Sequence, residues 1–215
     1  MHSAPEPLLN LLAEGAKELG IDLAPEISER LIEYVELLVK WNKAYNLTSI
    51  RDPHEITIRH ILDSLTVTPY CQEASVLDVG AGAGLPSVVL AITNPQQMVT
   101  ALDSNSKKTR FLRQVAIELS IDNLLVEHAR IENFKPLQPF NIVISRAFSS
   151  LVDFVTSSQV LVCPHGRMLA MKGRYPRDEL EHASPLCDIS DVVKLSVPFL
   201  SEERHLVIAH PKHSN

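Results

Sequence analysis

The residues best placed to do chemistry lie between Asp78 and Asp103. The run from Ser75 to Ile92, SVLDVGAGAGLPSVVLAI, begins as a buried strand and breaks at Gly80, Gly82 and Gly84. It then resumes as an apolar helix over 85–92. Glycines at that spacing let the chain reverse sharply and bring its backbone close to a ligand, where a Cβ would intrude. The helix that follows is expected to aim its unpaired N–H groups back at the turn as a polar cradle. A second strand pattern, Met98 to Leu102, ends in Asp103, where a carboxylate can accept from a pair of ribose hydroxyls. Strand, glycine turn, helix, strand and acid together describe half of a nucleotide-type site.

The spacing narrows the ligand. A dinucleotide fingerprint reads G-x-G-x-x-G/A. Counted from Gly80 its third position falls on Leu85, and counted from Gly82 it falls on Ser87, so an NAD-dependent oxidoreductase is disfavoured. Asp78, two residues before the first glycine, with G-x-G-x-G, instead resembles motif I of class I methyltransferases that use S-adenosylmethionine. The alternative is a glycine-rich turn in an ordinary α/β protein.

The elements that must hold these residues follow from periodicity. Residues 7–20 read as a short amphipathic helix, and a longer one starts at Pro25 with the stripe Ile27, Leu31, Val35, Leu38 and, unusually, Asn42. Asp52-Pro53-His54-Glu55 reads as a capping box opening a helix with Ile58, Ile61, Leu62 and Leu65 buried and Arg59, His60 and Asp63 polar. Beyond it strands and helices alternate. Strands are predicted near 75–79, 98–102, 123–127, 140–144, 166–171, 189–197 and 204–210. Helices are predicted near 85–93, 106–120, 151–161 and 177–184. Such alternation argues a parallel sheet covered on both faces. The last two strands form a hairpin that puts one antiparallel strand at the end of the sheet. Residues 1–70 are assigned to a helical extension and 71–215 to one compact α/β unit.

Bulk properties exclude some classes. The chain has 215 residues and a formal charge of −6. All of that excess lies in residues 1–36, which leaves the remainder neutral, so a general electrostatic grip on RNA is disfavoured while a local RNA-facing patch is not. No apolar run of about eighteen residues suggests a membrane span, and the start MHSAPEPLLN lacks the pattern of a signal peptide. Cys71, Cys163 and Cys187 are spaced for neither zinc nor a disulfide framework and read as buried thiols in a reducing cytosol. No metal site is expected.

Four further stretches carry a fuller resemblance: WNKAYNLTSI and RHILDSL ahead of the glycine turn, SRAF at 145–148, and MKGR at 171–174. Together they resemble the RNA small-subunit methyltransferase G family, formerly glucose-inhibited division protein B. That resemblance implies a class I, Rossmann-like fold with a mostly parallel seven-stranded sheet and an N-terminal helical extension. It implies methyl transfer from S-adenosylmethionine to N7 of one guanine in 16S ribosomal RNA, within the small subunit or an assembly intermediate. It further implies a cytoplasmic protein, read as a monomer with no membrane partner. By position it sets the cofactor against Gly80, Leu85, Ile131, Glu132 and Arg146. The residue reading adds Gly82, Gly84 and Asp103. The family's turn is G-x-G-x-G-x-P-G, and this chain has Ser87 for the last glycine.

The chemistry is consistent with these residues. Guanine N7 carries its own lone pair, so no base need remove a proton, and the enzyme's work is alignment. SRAF follows the fourth strand, where amine methyltransferases carry [ND]-P-P-[YFW]. It offers Arg146, a guanidinium that can donate to guanine O6 and serve as the catalytic positioning group, and Phe148 as a stacking face. The alternatives are an ion pair of Arg146 with Asp78 or Glu132, and Phe148 as core. Asn42, Asn46, Thr48, His60 and Asp63 form either a wall over the cofactor or a set of turn-fixing hydrogen bonds. Lys107, Lys108 and Arg110 open a helix whose dipole disfavours cations, which points to an anionic neighbour such as an RNA phosphate. Arg174 and Arg177 add to that face, or all are a solvated surface. His205, His210 and His213 read as edge-strand and tail residues. Competing functions are a methyltransferase of the same fold acting on a small molecule, protein or other RNA, and a non-catalytic ribosome assembly factor.

Overall fold

The computed structural model describes residues 5–146, 148 and 150–212. Helices α1 (Glu6–Glu18) and α2 (Pro25–Tyr45) come first, each with proline in its opening turn. Asn46, left-handed at φ 50°, ends α2. Asp52 caps the next helix by accepting from the His54 N–H at 3.1 Å. That helix runs as α3 (Pro53–Ile56), a π-helical turn (Thr57–Leu62) and α4 (Asp63–Leu65). The apolar stripe is buried as its spacing predicts, but His60 and Asp63 are buried too. The π turn, a feature common at functional sites, has no signal in the spacing.

The sheet has seven strands: β1 (Ser75–Val79), β2 (Met98–Asp103), β3 (Leu124–His128), β4 (Phe140–Ser145), β5 (Val162–Lys172), β6 (Cys187–Leu195) and β7 (Arg204–Pro211). Their order is β3-β2-β1-β4-β5-β7-β6, with the first five parallel and β7 antiparallel to both of its neighbours. The antiparallel strand therefore lies inside the sheet, and β6 forms the edge. Composition explains the correction. The middle of β7, His205 to Ala209, is buried throughout, whereas β6 alternates Asp188, Asp191 and Lys194 with apolar residues and suits a solvated edge.

The chain reverses its winding between β1 and β4, so the crevice at their carboxyl ends is where a ligand belongs. One sheet face, through Val76, Val99, Ile142, Ile144 and Leu169, packs on α1, α2, the α3–α4 helix, α5 (Ser87–Thr93) and α6 (Ser106–Glu118). The other, through Leu77, Val143, Met168 and Val207, packs on α7 (Leu151–Ser158) and α8 (Arg177–Ala183). The N-terminal helices thus share the core of the sheet. Arg30 fixes α2 to α6 by donating to the carbonyls of Leu119 and Ser120, at 2.7 and 3.1 Å, just past the end of that helix. Cys71 and Cys187 are buried, while Cys163 is half-buried.

Candidate active site

The crevice is built upward from the glycine turn. Gly80, Gly82 and Gly84 all have positive φ, at 70°, 61° and 97°. Gly84 faces inward, where a Cβ would lie 2.8 Å from the side chain of Leu112 and press into Val88. Gly82 faces the cleft, where a Cβ would meet nothing nearer than 3.7 Å. One glycine thus serves helix packing and the other leaves room for a ligand.

The N–H groups around this turn are used within the protein. Gly80 and Ala81 donate to the carbonyl of Leu102 at 2.8 and 3.0 Å, and Val88 donates to Gly84 at 2.8 Å. Ser87 donates its N–H to Asp78 at 3.1 Å. The helix N-terminus is therefore tied down by Asp78 and does not form the predicted open cradle. The turn itself and Asp103 form the wall. Asp103 accepts from Gly82 N at 2.9 Å and Asn105 N at 2.8 Å, locking the ends of β1 and β2 together while lining the cleft. Each carboxylate oxygen keeps a second lone pair for a ligand hydroxyl.

Burial pushes the Asp78 carboxyl up to about 6, an effect only partly offset by Ser87, through its side chain and its N–H, and by the charge of Arg146. Asp78 Oδ1 and the Ser87 hydroxyl are buried with no hydrogen-bond partner among the described residues.

Three connected compartments line the carboxyl edge. The first, of about 350 Å³, holds Gly80 and Asp103 on one side and Ile131, Glu132 and Phe148 on the other. The second, of about 230 Å³, lies over Gly80, Gly82 and Leu85 and is closed by Thr48, His60 and Arg146. The third, of about 400 Å³, opens beyond His60 and Arg146 toward Asp63, Arg204 and His205. Gly80 and Lys108 line both the first and the second. His60 and Arg146 line both the second and the third.

Most of the predicted site residues meet here: Gly80, Gly82, Leu85, Asp103, Ile131, Glu132 and Arg146. Gly84 supports the turn from behind. Arg146 pairs with neither Asp78 nor Glu132. It donates to Asp63 at 3.0 Å and to the carbonyl of Arg59 at 3.4 Å. Phe148 lines the first compartment and also packs on buried Phe154, ring centres 5.5 Å apart. Ala147 of SRAF lies outside the described residues.

The polar group makes turn-fixing hydrogen bonds, and two of its members, Thr48 and His60, also line the second compartment. Asn42 accepts from Thr48 N at 3.0 Å and donates to the Ile50 carbonyl at 3.2 Å. His60 Nδ1 faces the carbonyl of Arg59 at 3.0 Å, so it carries the proton. Nε2 then accepts from the Thr48 hydroxyl at 2.9 Å. Burial first, and the charge of Arg146 second, lower the His60 pKa to about 4. The imidazole is neutral at pH 7 and ties the 46–50 loop to the π turn.

The basic residues separate. Lys107, Arg110 and Arg174 are exposed. Lys108 reaches back to 3.8 Å from Asp103, so its anionic neighbour is that carboxylate. His205 is buried on an interior strand with Nδ1 3.2 Å from the carbonyl of Gly173, while His213 lies outside the described residues. Sequence reasoning missed Arg130 in the first compartment and Arg59 and Arg204 in the third. Arg130 adjoins Ile131 and was findable by position. Arg204 had no signal, because only folding brings the start of β7 beside Asp63.

A Rossmann-like sheet with an acid-flanked G-x-G-x-G turn and an aspartate ending β2 defines a class I, S-adenosylmethionine-dependent methyltransferase. Solved structures agree on the fold. A SAM-dependent methyltransferase from Aquifex aeolicus superposes with a TM-score of 0.57 at 19% identity, over 78% of this chain and 97% of that one. A glycopeptide N-methyltransferase complexed with S-adenosylmethionine gives 0.58 at 12% identity, over 70% and 87%. Sequence comparison is more specific. The family model for rRNA small subunit methyltransferase G matches residues 27–207. Proteins named ribosomal RNA small subunit methyltransferase G are 48% identical in Pseudomonas syringae, over 92% of both chains, and 48% identical in Escherichia fergusonii, over 95% of this chain and 99% of that one. The chain belongs to this family of rRNA methyltransferases.

Proposed function

We propose that the protein transfers a methyl group from S-adenosylmethionine to N7 of one guanine in 16S ribosomal RNA, presented in the small subunit or an assembly intermediate. The bound cofactor supplies an electrophilic methyl group on a sulfonium. The chain's residues supply binding and aim. Asp103 and Glu132 bracket the first compartment as acceptors for hydroxyl and amino groups, with Ile131 and Phe148 as apolar walls. Gly82 leaves the second compartment open, and the shared lining by Gly80 joins it to the first.

The observation that carries the reading is Arg146 at the junction of the second and third compartments, fixed by buried Asp63. A guanidinium there can donate to guanine O6 and hold the neighbouring N7 in line, and the lone pair of N7 needs no base. His60 supports the same conclusion, since Nε2 is occupied by the Thr48 hydroxyl and a pKa lowered to about 4 leaves the ring a weak base. The protein is read as a cytoplasmic monomer; no helix among the described residues is long and apolar enough to cross a membrane. The test is to map methylated guanines in 16S rRNA from cells with and without the gene. Loss of one N7-methylguanine on deletion is expected; an unchanged map, or loss of a different modification, overturns the assignment.

A further inference from the structure

The third compartment is not needed to seat a cofactor in the first two, yet it is as large as either. It is held open by a definite arrangement of charges. Asp63, 1% exposed, sits at its back and is gripped from two sides, by Arg146 at 3.0 Å and by Arg204 Nε at 3.1 Å. These three groups come from the helix before the sheet, the end of β4 and the start of β7. Other cations on the lining are already neutralised. Arg59 pairs with Glu55 and Glu202 at 2.6 and 2.8 Å, and Lys172 pairs with Glu179 at 2.7 Å.

What remains is two guanidiniums sharing one carboxylate, with N–H donors to spare, over an apolar lining of Ile50, Met171 and Leu195. At the edge, Tyr175 is exposed and packs its ring edge-on to His205 at 5.5 Å. A flat apolar floor, an aromatic edge and guanidinium donors are the features that take up an unstacked base. Two guanidinium donors match the O6 and N7 acceptors on the edge of guanine. The volume lies within the range of small-ligand sites.

We propose that this third compartment receives the target guanosine of the RNA, and that Asp63 is the positioning residue that aims Arg146 and Arg204 into it. The inference rests on the rRNA-methyltransferase reading and adds where the acceptor base sits and what holds the donors. Ile50 is half-buried and lines the third compartment but neither of the other two, so Ile50→Trp fills the space the base would take.

The test uses the full chain and small subunits lacking the modification. Ile50→Trp is expected to lower methylation by about tenfold or more while leaving S-adenosylmethionine affinity by calorimetry unchanged. Asp63→Asn keeps the shape of the side chain and is expected to lower kcat to a similar degree; because Asp63 also holds Arg146, which lines the second compartment, the cofactor-affinity control is read on Ile50→Trp and Arg204→Ala. Arg204→Ala should do the same, and Asp63→Asn combined with Arg204→Ala should be no worse than the more damaging single change, because both act through one contact. Independent of activity, an RNA fragment carrying thioguanosine at the target position should cross-link to the 204–205 or 171–175 segments of the wild-type protein. Wild-type rates in Ile50→Trp, additive effects in the double variant, or a cross-link confined to α6 would each overturn the subsite. If the wild-type protein with cofactor methylates no rRNA at all, the functional reading itself falls and the subsite with it.

Discussion

The two ends of the cleft are built by opposite means. At the glycine turn the working surface is backbone, drawn from one stretch, 75–105, and pinned by two carboxylates that accept N–H groups from their own neighbourhood. At the Asp63 end the surface is side chains from segments 83 and 141 positions away along the chain, meeting only because the α3–α4 helix, β4 and β7 pack together. A backbone-built site is local and tolerates little change in covalent geometry. A side-chain-built site is assembled by the fold, and its parts can be exchanged singly with the fold intact.

The largest effect should therefore come from the backbone end. Gly84 combines a φ of 97° with contacts to Leu112 and Val88, so Gly84→Ala meets strain and overpacking together. A loss of about 4 kcal/mol is expected in urea unfolding. Gly82→Ala, strained but unobstructed, should cost less than half of that. Equal losses at both positions would mean that φ strain alone governs the turn.

The next effect separates the two ends by pH. Burial raises the Asp78 pKa to about 6 in the fold against 3.8 for a free carboxyl, so the native state holds its proton more tightly. Its contribution is greatest below about pH 4 and is lost as pH rises through about 6. His60 titrates near 4 against 6.5, so its contribution is present above 6.5 and lost as pH falls through about 4. Each amounts to roughly 3 kcal/mol at full swing, and between pH 4 and 6 they oppose each other. Asp78→Asn should leave a protein whose stability rises with pH across that window, and His60→Asn one whose stability falls. Urea midpoints at several pH values check both; parallel curves for the two variants would refute the assignment.

The same contrast explains what could be read from the chain beforehand. Asp78, the three glycines and Asp103 were legible because their geometry is fixed by residues within a few positions, and strand and helix periods mark both flanks. Ile131, Glu132 and Arg146 were legible through family motifs, whose spacing carries tertiary information that a single chain's periodicity lacks. The π turn was not legible, since its 3.6-residue stripe looks ordinary. So His60 and Asp63 read as a polar face when they are interior. The place of β7 inside the sheet was also missed, although its run from His205 to Ala209, more apolar than β6, was a usable signal. Arg204 depended on that misplaced strand, and the Asp63 cluster could not be assembled without it.

At the side-chain end, Arg146→Ala should lower single-turnover methylation by about a hundredfold, or about 2.7 kcal/mol, through loss of an aimed donor. Arg146→Lys should recover little, because an ammonium cannot span Asp63 and a base edge as a planar fork does. The rate should stay nearly flat with pH, because N7 needs no deprotonation. A steep rise abolished by His60→Asn would mean that the neutral imidazole acts as a base, and the acceptor atom would then not be N7.

The smallest effect concerns the start of α6, where the structure divides three cations that look equivalent in sequence. Lys108 is turned into the cleft beside Asp103, so its loss should weaken cofactor binding and leave RNA association nearly unchanged. Lys107 and Arg110 are exposed on the same helix, one turn apart, near the N-terminal end where the dipole already favours an anion. If they meet RNA phosphates, Lys107→Gln with Arg110→Gln should weaken binding to small subunits and reduce the salt dependence of log K by roughly one for each charge removed. Cofactor affinity should not move. Binding measured at several salt concentrations gives the slope directly. A slope unchanged in the double variant but reduced in Lys108→Gln would reverse the division, making the cleft lysine the RNA contact and the outer pair an ordinary solvated face.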